Sequence, residues 1–300
     1  MTTAVPRVAY QGQPGAYGEE AVLAYFGEGA VEPLPLPTFS HVMAAVDGRH
    51  AEAAVLPLEN SLAGTVGDAL DALLRTDLVV SGEVVLPVRH LLLGLPGSRL
   101  GDVRQVTSHW QALAQCERFL TARNLQVTVA PDTAGAARQL RDSRDRSTAV
   151  IASPRAAQRY GLNVLAEEIG NAPQNLTRFA VVGVPGVDGP PPLGVRAPSP
   201  DAPMVSLVLF ETLHRPGALH HALGALAQSR INLSRIESRP TDRARWEYRF
   251  LISVDGSAAD DPLRSALANL AQRAHAVRLV GSFRSASADQ PGTDERLAHA

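Results

Sequence analysis

One cysteine in 300 residues, Cys116, rules out an intramolecular disulfide and a cysteine-rich metal cage, and it suits a reducing compartment such as the cytoplasm. Long apolar runs are missing too. Leu86–Leu95 is broken by Pro87, Arg89 and His90, far short of the roughly 20 residues that span a bilayer. The chain has no long basic run and its formal net charge is −2, so the footprint of a nucleic-acid binder is absent. Any anionic ligand must be held by local charge. Met1 to Arg7 leads into a strand-like segment without the charged start and apolar centre of a secretory signal. These absences predict a cytoplasmic protein whose partners are neither membranes nor nucleic acids.

The composition is that of a folded chain, with 45% hydrophobic and 19% charged residues. Its length suggests about two domains. The boundary falls at 184–203, where Val184-Pro185-Gly186, Gly189-Pro190-Pro191-Pro192 and Pro198-Ser199-Pro200 crowd together without apolar periodicity; this reads as an extended, semi-rigid linker. In residues 5–183, short apolar runs alternate with helix-like stretches, as in Val8-Ala9-Tyr10 followed by Glu19–Phe26, which predicts an α/β fold with largely parallel sheets. The β-rich stretch 78–95 has no helix and marks a crossover into a second subdomain, with a return near 165–180. A helix is expected over Gln111–Arg123, with Cys116 an inert thiol on its buried stripe. Residues 204–284 read as βαββαβ, with strands at 205–210, 231–236, 246–254 and 277–283 and helices at 218–229 and 262–273. The polar stretch 285–300 reads as a disordered tail.

Four segments can carry chemistry. Gly12 to Gly18 follows a strand and opens a helix, so its backbone N–H groups can face an anion; the alternative is a plain tight turn. Dinucleotide binding is disfavoured, because Gly12 and Gly15 are three apart with Pro14 between them. Pro57-Leu58-Glu59-Asn60-Ser61 ends a buried strand, where Asn60 and Ser61 can donate to oxygens and Glu59 can orient a donor, or where the pair simply makes a turn. Ser108-His109 precedes a helix, with Ser108 suited to capping it. Asn175-Leu176-Thr177-Arg178-Phe179 gathers an amide, a hydroxyl and a guanidinium, and Arg is shaped for bidentate carboxylate recognition.

In order, Gly15-Ala16-Tyr17, Pro57 to Ser61 with Gly64, Leu86-Pro87-Val88, Ser108-His109 with Gln111-Ala112-Leu113, and Asp132-Thr133-Ala134 resemble the prephenate dehydratases, close relatives of the arogenate dehydratases. Beyond the linker, Arg215-Pro216-Gly217-Ala218-Leu219 and Asn232-Leu233 through Glu237-Ser238-Arg239-Pro240 resemble their ACT regulatory domain. The resemblance covers residues 7–284. It implies a catalytic region of two α/β subdomains like a type II periplasmic binding protein, with the active site in the cleft between them, plus a ferredoxin-like α+β ACT domain. Gly18 departs from the family's usual Ser or Thr, and Trp110 from its usual Pro.

The resemblance further implies conversion of prephenate to phenylpyruvate, a carbon–oxygen lyase reaction in phenylalanine biosynthesis. Thr177 would be the essential residue, with Arg178, Asn60, Ser61, Ser108 and His109 beside it. Gly15, Ala16, Tyr17, Glu59 and Phe179 would contact substrate. Arg178 can anchor a carboxylate or brace the subdomains, and His109 can be an auxiliary acid or structural. Aromatisation drives the reaction, so no cofactor and no metal is expected. L-Phenylalanine would bind at Gly217, Ala218, Leu219, Asn232, Leu233, Glu237, Ser238, Arg239 and Pro240, in a homodimer or homotetramer. Arogenate dehydratase and a non-enzymatic amino-acid sensor are the alternatives; a fused chorismate mutase is not expected.

Overall fold

A computed structural model describes residues 5–241 and 247–286. Two compact units divide it: one comprises residues up to Asp77, Val84–Ala180 and Gly186–Ala197, the other Leu78–Glu83, Val181–Pro185 and the chain from Pro198 onward.

The first unit has two lobes. In chain order the first lobe carries β1 (Arg7–Gln11), α1 (Tyr17–Phe26), β2 (Glu32–Leu36), α2 (Phe39–Asp47), β3 (Ala53–Asn60), β4 (Gly64–Thr65), α3 (Gly67–Leu74) and, from Val84 on, β5 (Val79–Pro87). The second lobe follows with β6 (Leu91–Gly94), β7 (Gln105–His109), α4 (Trp110–Gln115), α5 (Glu117–Ala122), β8 (Gln126–Ala130), α6 (Thr133–Asp142), β9 (Thr148–Ala152), α7 (Pro154–Tyr160) and β10 (Asn163–Ala166). The chain then returns to the first lobe as β11 (Leu176–Gly183), of which the part up to Ala180 belongs to the first unit. Strands run β5-β11-β3-β1-β2 in the first lobe and β10-β6-β9-β7-β8 in the second. In both, strand ladders pair β1 with β2 and β3, and β7 with β8 and β9, in parallel. The α/β expectation therefore holds, and the crossover is three residues long, Val88–His90.

Helices cover both faces of the second lobe's sheet. Leu91, Leu93 and Val150 pack with Ala136, Leu140 and Tyr160 on one side. Leu92, Val106 and Ile151 pack with Leu113, Cys116 and Leu120 on the other. That alternation within Leu91-Leu92-Leu93 is the period-2 pattern of a strand buried on both faces. Cys116 is buried as expected, but the helix around it is not continuous: Cys116 leaves helical geometry (φ −116°) and separates α4 from α5. Burial in apolar surroundings pushes its thiol up to about 12, which keeps it an inert thiol at neutral pH.

The Pro/Gly-rich stretch is not a free spacer. Gly194 and Arg196 donate backbone N–H groups to the carbonyls of Tyr25 and Ala24 at 2.7 and 2.9 Å, at the end of α1. A Cβ on Gly194 would lie 2.1 Å from the Ala24 carbonyl oxygen, so only glycine permits this approach.

The second unit carries β12 (Met204–Glu211), α8 (Ala218–Gln228), β13 (Leu233–Pro240), β14 (Tyr248–Asp255), α9 (Asp261–Ala271) and β15 (Ala276–Arg284), in the expected βαββαβ order. Its sheet runs β13-β14-β12-β15. Val208, Phe210, Ile252 and Val254 face Ala222, Leu226, Leu263 and Leu270 of the two helices, which is the core. Trp246, taken as the start of the third strand, lies outside the described residues. Ser285 and Ala286, assigned to a disordered tail, are instead buried, their N–H groups bonded to the Pro203 carbonyl (2.8 Å) and Glu83 (3.1 Å); residues 287–300 lie outside the described residues.

Leu270→Ala, at a fully buried position, is expected to lower the stability of the second unit by about 2–5 kcal/mol in urea titrations followed by circular dichroism.

Candidate active site

Asn60 ends β3 with its side chain 6% exposed, so every polar atom it carries must find a partner. Its Oδ1 accepts the backbone N–H groups of Leu62 (3.1 Å) and Ala63 (2.9 Å), closing the turn into β4. This fixes the amide, and Nδ2 is left to donate to Asn175 Oδ1 (2.6 Å), Thr177 Oγ1 (3.0 Å) and the Leu176 carbonyl (3.2 Å). Ser61 ties the same two strands: its N–H donates to the Leu176 carbonyl and its hydroxyl accepts the Leu176 N–H.

From Asn175 the hydrogen-bonded chain continues across the lobes. Asn175 Nδ2 donates to Gln115 Oε1 (3.0 Å), which also pairs with His90 Nε2 (2.7 Å), and His90 Nδ1 meets the Tyr17 hydroxyl (3.0 Å). Tyr17 further donates to the Arg89 carbonyl at 2.7 Å. A neutral His90 protonated at Nε2 donates to Gln115 Oε1 and leaves Nδ1 as an acceptor, so the single Tyr17 hydrogen serves either Nδ1 or the Arg89 carbonyl. Burial favours that neutral form by pulling the imidazole below its usual value, opposed in part by the bond to Gln115. Beside this chain lies a cavity of about 720 Å³ bordered by Leu62, Arg89, His90, Gln115, Asn175 and the paired acids Glu167 and Glu168. That volume is in the range of small-molecule sites. Thr177, 7% exposed, stands just behind the wall that Asn175 and Leu176 form.

The structure thus brings Asn60, Ser61, Tyr17 and Thr177 into one neighbourhood, and it places other expected residues elsewhere. Strand alternation turns Arg178 and Glu59 to the sheet face opposite Thr177 and Asn60. Phe179 is 2% exposed and serves as packing under Thr177. Ser108 is fully buried and donates to the Ile151 carbonyl at 2.6 Å; it neither caps α4 nor reaches the cavity. The cap is His109, whose Nδ1 accepts the Gln111 N–H at 3.4 Å, with Trp110 beside it and largely exposed. Among the described residues, no group of three or more His, Cys, Asp or Glu side chains is placed to hold a metal ion.

Two of the three amides in the Gly15–Tyr17 loop are already engaged. The Gly15 N–H donates to Glu19 Oε2 (2.5 Å) and the Ala16 N–H to the Gln13 carbonyl (3.0 Å). The loop instead fastens one lobe to the other: Ser153 donates to the Gly15 carbonyl (2.8 Å), Tyr160 to that of Pro14 (2.5 Å), and Arg155 and Arg159 pair with Glu19. Gly15 has φ +92° and its α-carbon faces the backbone of Ala156, so no side chain fits. At Gly18 a Cβ would press on the Tyr10 ring at 3.0 Å, which accounts for glycine there.

A profile described as prephenate dehydratase matches residues 8–186, more than half of the chain. The chain belongs to the prephenate dehydratase family. An ACT domain matches residues 206–272. Among curated relatives, the Arabidopsis thaliana protein named arogenate dehydratase/prephenate dehydratase 2, chloroplastic, is 37% identical over 286 residues, which is 92% of this chain and 72% of that protein. Among solved structures, prephenate dehydratase in complex with L-Phe from Arthrobacter aurescens superposes with a TM-score of 0.84 at 32% identity, covering 96% of this chain and 92% of that one. A structure described as GqqA, a novel type of quorum quenching acylases, reaches 0.82 at 34% identity over 93% and 98% of the two chains. The site residues missed in the sequence, His90 beside Arg89 and Gln115 between Ala114 and Cys116, carried no spacing signal.

The His90 ring is expected to be neutral at pH 7, with an NMR titration midpoint under its usual ~6.5. A depressed folded midpoint means that the unfolded chain takes up the proton first. Its contribution to stability is then complete above about pH 6.5 and lost as pH falls through the folded midpoint. The acid limb of a stability–pH curve should be shallower for His90→Gln.

Proposed function

We propose that this chain catalyses the decarboxylative dehydration of prephenate to phenylpyruvate, under feedback control by phenylalanine bound to its C-terminal unit. One observation carries the reading. The Thr177 oxygen already receives Asn60 Nδ2–H, and no acceptor among the described residues takes the Thr177 hydrogen. That hydrogen is uncommitted, on a hydroxyl one layer behind the cavity wall.

In the reaction the bond from ring to carboxylate breaks and releases carbon dioxide. The electron pair enters the ring, and the ring C–O bond opposite breaks as the ring becomes aromatic. The departing hydroxide takes up a proton from solvent and leaves as water. Thr177 donates its hydrogen bond to that oxygen, and the chain of amides behind it holds the hydroxyl in place; such general-acid assistance is worth typically 10²–10⁴-fold. Arg89, at the cavity edge with no partner for its guanidinium among the described residues, is placed to meet a carboxylate. Glu167 and Glu168 border the same cavity. Their negative charge favours a substrate whose side chain bears an ammonium, so arogenate is the second substrate to test.

For phenylalanine, the expected residues sit at two ends of the C-terminal unit. Pro240 pairs with Tyr248, and Arg239 with Arg249 next to Glu211, at the end of the sheet from which the chain leads to Gly217; Asn232 binds Asp255 (2.8 Å) at the other end. Joining the Gly217–Leu219 and Asn232–Leu233 segments in one pocket takes a second copy, which supports a homodimer or homotetramer. The ACT match and the L-Phe complex of a relative support the effector. The single cysteine suits the cytoplasm.

The test is the initial rate on prephenate and on arogenate with and without millimolar phenylalanine. Turnover that falls on adding phenylalanine supports both units' roles, whereas no turnover of either substrate would favour an amino-acid sensor. Thr177→Ala should lower kcat by about 10²–10⁴-fold; retention of more than a tenth of wild-type activity would sink the donor role.

A further inference from the structure

We propose that residues 193–196 form a strap that completes the C-terminal end of α1 in the catalytically assembled state, and that phenylalanine lowers turnover by unseating it. The inference rests on the reading of the C-terminal unit as the phenylalanine sensor.

An α-helix leaves its last four carbonyls without partners inside the helix. In α1 these belong to Leu23, Ala24, Tyr25 and Phe26. The Gly27 N–H takes the first of them at 2.9 Å, but the next two are taken from far along the chain. The Arg196 N–H donates to the Ala24 carbonyl (2.9 Å) and the Gly194 N–H to that of Tyr25 (2.7 Å). No basic side chain stands in the last turn of α1 to serve instead. The cap is supplied by the linker.

The seat is narrow and lightly held. Gly194 admits no side chain, because a Cβ there would collide with the backbone of Ala24 and Tyr25. Its neighbours do not pack: Leu193 is 68% and Val195 97% exposed. Backbone bonds therefore hold the strap, with the Arg196 guanidinium reaching the Val85 carbonyl at 3.5 Å. Two backbone hydrogen bonds bias an equilibrium by about 5- to 150-fold net, the span over which effectors commonly work. A strap held this way can be released by an effector, which a packed segment resists.

What α1 carries at its other end makes the seating matter. Tyr17 opens the helix and meets His90 at 3.0 Å. Glu19 pairs with Arg155 and Arg159 of the second lobe, and Glu20 accepts the Arg155 N–H (3.0 Å). Glu28, just past the helix end, pairs with Arg155 as well (2.8 Å). The helix thus meets the second lobe at both ends. The segment that carries the strap, Gly186–Ala197, is joined to the second unit through Pro185 and Pro198. Seated strap, capped helix and fastened lobes occur together, so the seated form is the assembled one, and an inhibitor acting through the strap must favour its release.

The experiment uses the full chain and two glycine variants. Gly194→Val removes the seat. Gly189→Ala, where an added Cβ meets nothing within 4 Å, controls for stiffening the linker. Without effector, Gly194→Val should show kcat lowered toward that of phenylalanine-saturated wild type, and phenylalanine should lower it by at most about twofold more. Because coupling is reciprocal, its affinity for phenylalanine in isothermal titration calorimetry should rise by about 5- to 150-fold. A strap that only stabilised the fold would leave that affinity unchanged. Gly189→Ala should match wild type in both respects. Hydrogen–deuterium exchange gives a readout without mutation: in the wild type, the amides of Gly194 and Arg196 should exchange faster with millimolar phenylalanine. The proposal is overturned if Gly194→Val keeps the wild-type response and affinity, or if exchange at these two amides does not change with phenylalanine. A failure of the parent reading looks different: the wild type itself would then neither bind phenylalanine nor slow in its presence.

Discussion

The amide of Asn60 is the constraint on which the site depends. Its carbonyl is committed to two turn amides, so its NH₂ has one direction left, toward the start of β11. Each such bond stabilises the fold by only about 0.5–1.5 kcal/mol net, but an unpaired buried partner costs about 1–3 kcal/mol. The asymmetry matters more than the sum. Asn60, Asn175, Gln115 and His90 are each satisfied by the others, so the geometry around Thr177 is one arrangement or none.

A second set of contacts keeps the lobes where that arrangement can form. Glu19, 3% exposed, receives the Gly15 N–H and faces Arg155 and Arg159 across the lobe boundary. Burying a carboxylate is costly, and pairing it with arginines recovers only part of the penalty. The return is positional: Glu19 fixes the loop whose carbonyls, at Pro14 and Gly15, take hydroxyls from Tyr160 and Ser153. Tyr17, at the end of the same loop, starts the hydrogen-bonded chain. Lobe placement and site geometry are therefore properties of one loop.

Much of the architecture was legible in the sequence because period and order are local signals. Alternating apolar runs and helical stretches gave the α/β class, and the C-terminal βαββαβ order could be read almost strand by strand. β2 was not legible: Glu32-Pro33-Leu34-Pro35-Leu36 has two prolines, which a central strand rejects but an edge strand beside β1 tolerates. Asn60 and Thr177 stood out at strand ends, whereas Arg178, Glu59 and Phe179 were grouped with them by adjacency, which strand alternation breaks. Ser108 looked like a helix cap because a serine before a helix usually is one; a fully buried strand position gave its hydroxyl a carbonyl instead. Gln115 was invisible for another reason. On a helix with an apolar stripe, a glutamine off that stripe reads as solvent-facing, and its partners are distant in the chain, at His90 in the crossover and at Asn175, 60 residues later.

The polar chain behind Thr177 contains no ion pair, and that has a bearing on the conditions under which the enzyme works. Dissolved salt weakens interactions between exposed charges beyond about 10 Å at 0.1 M, but it has little purchase on amide-to-amide hydrogen bonds inside a wall. Ionic strength should therefore act on how often a charged substrate reaches the cavity mouth, past Arg89, Glu167 and Glu168, and leave the alignment of the donor within unchanged. Encounter and alignment are thus separable, the first tunable by the cell's electrolyte and the second set by the fold.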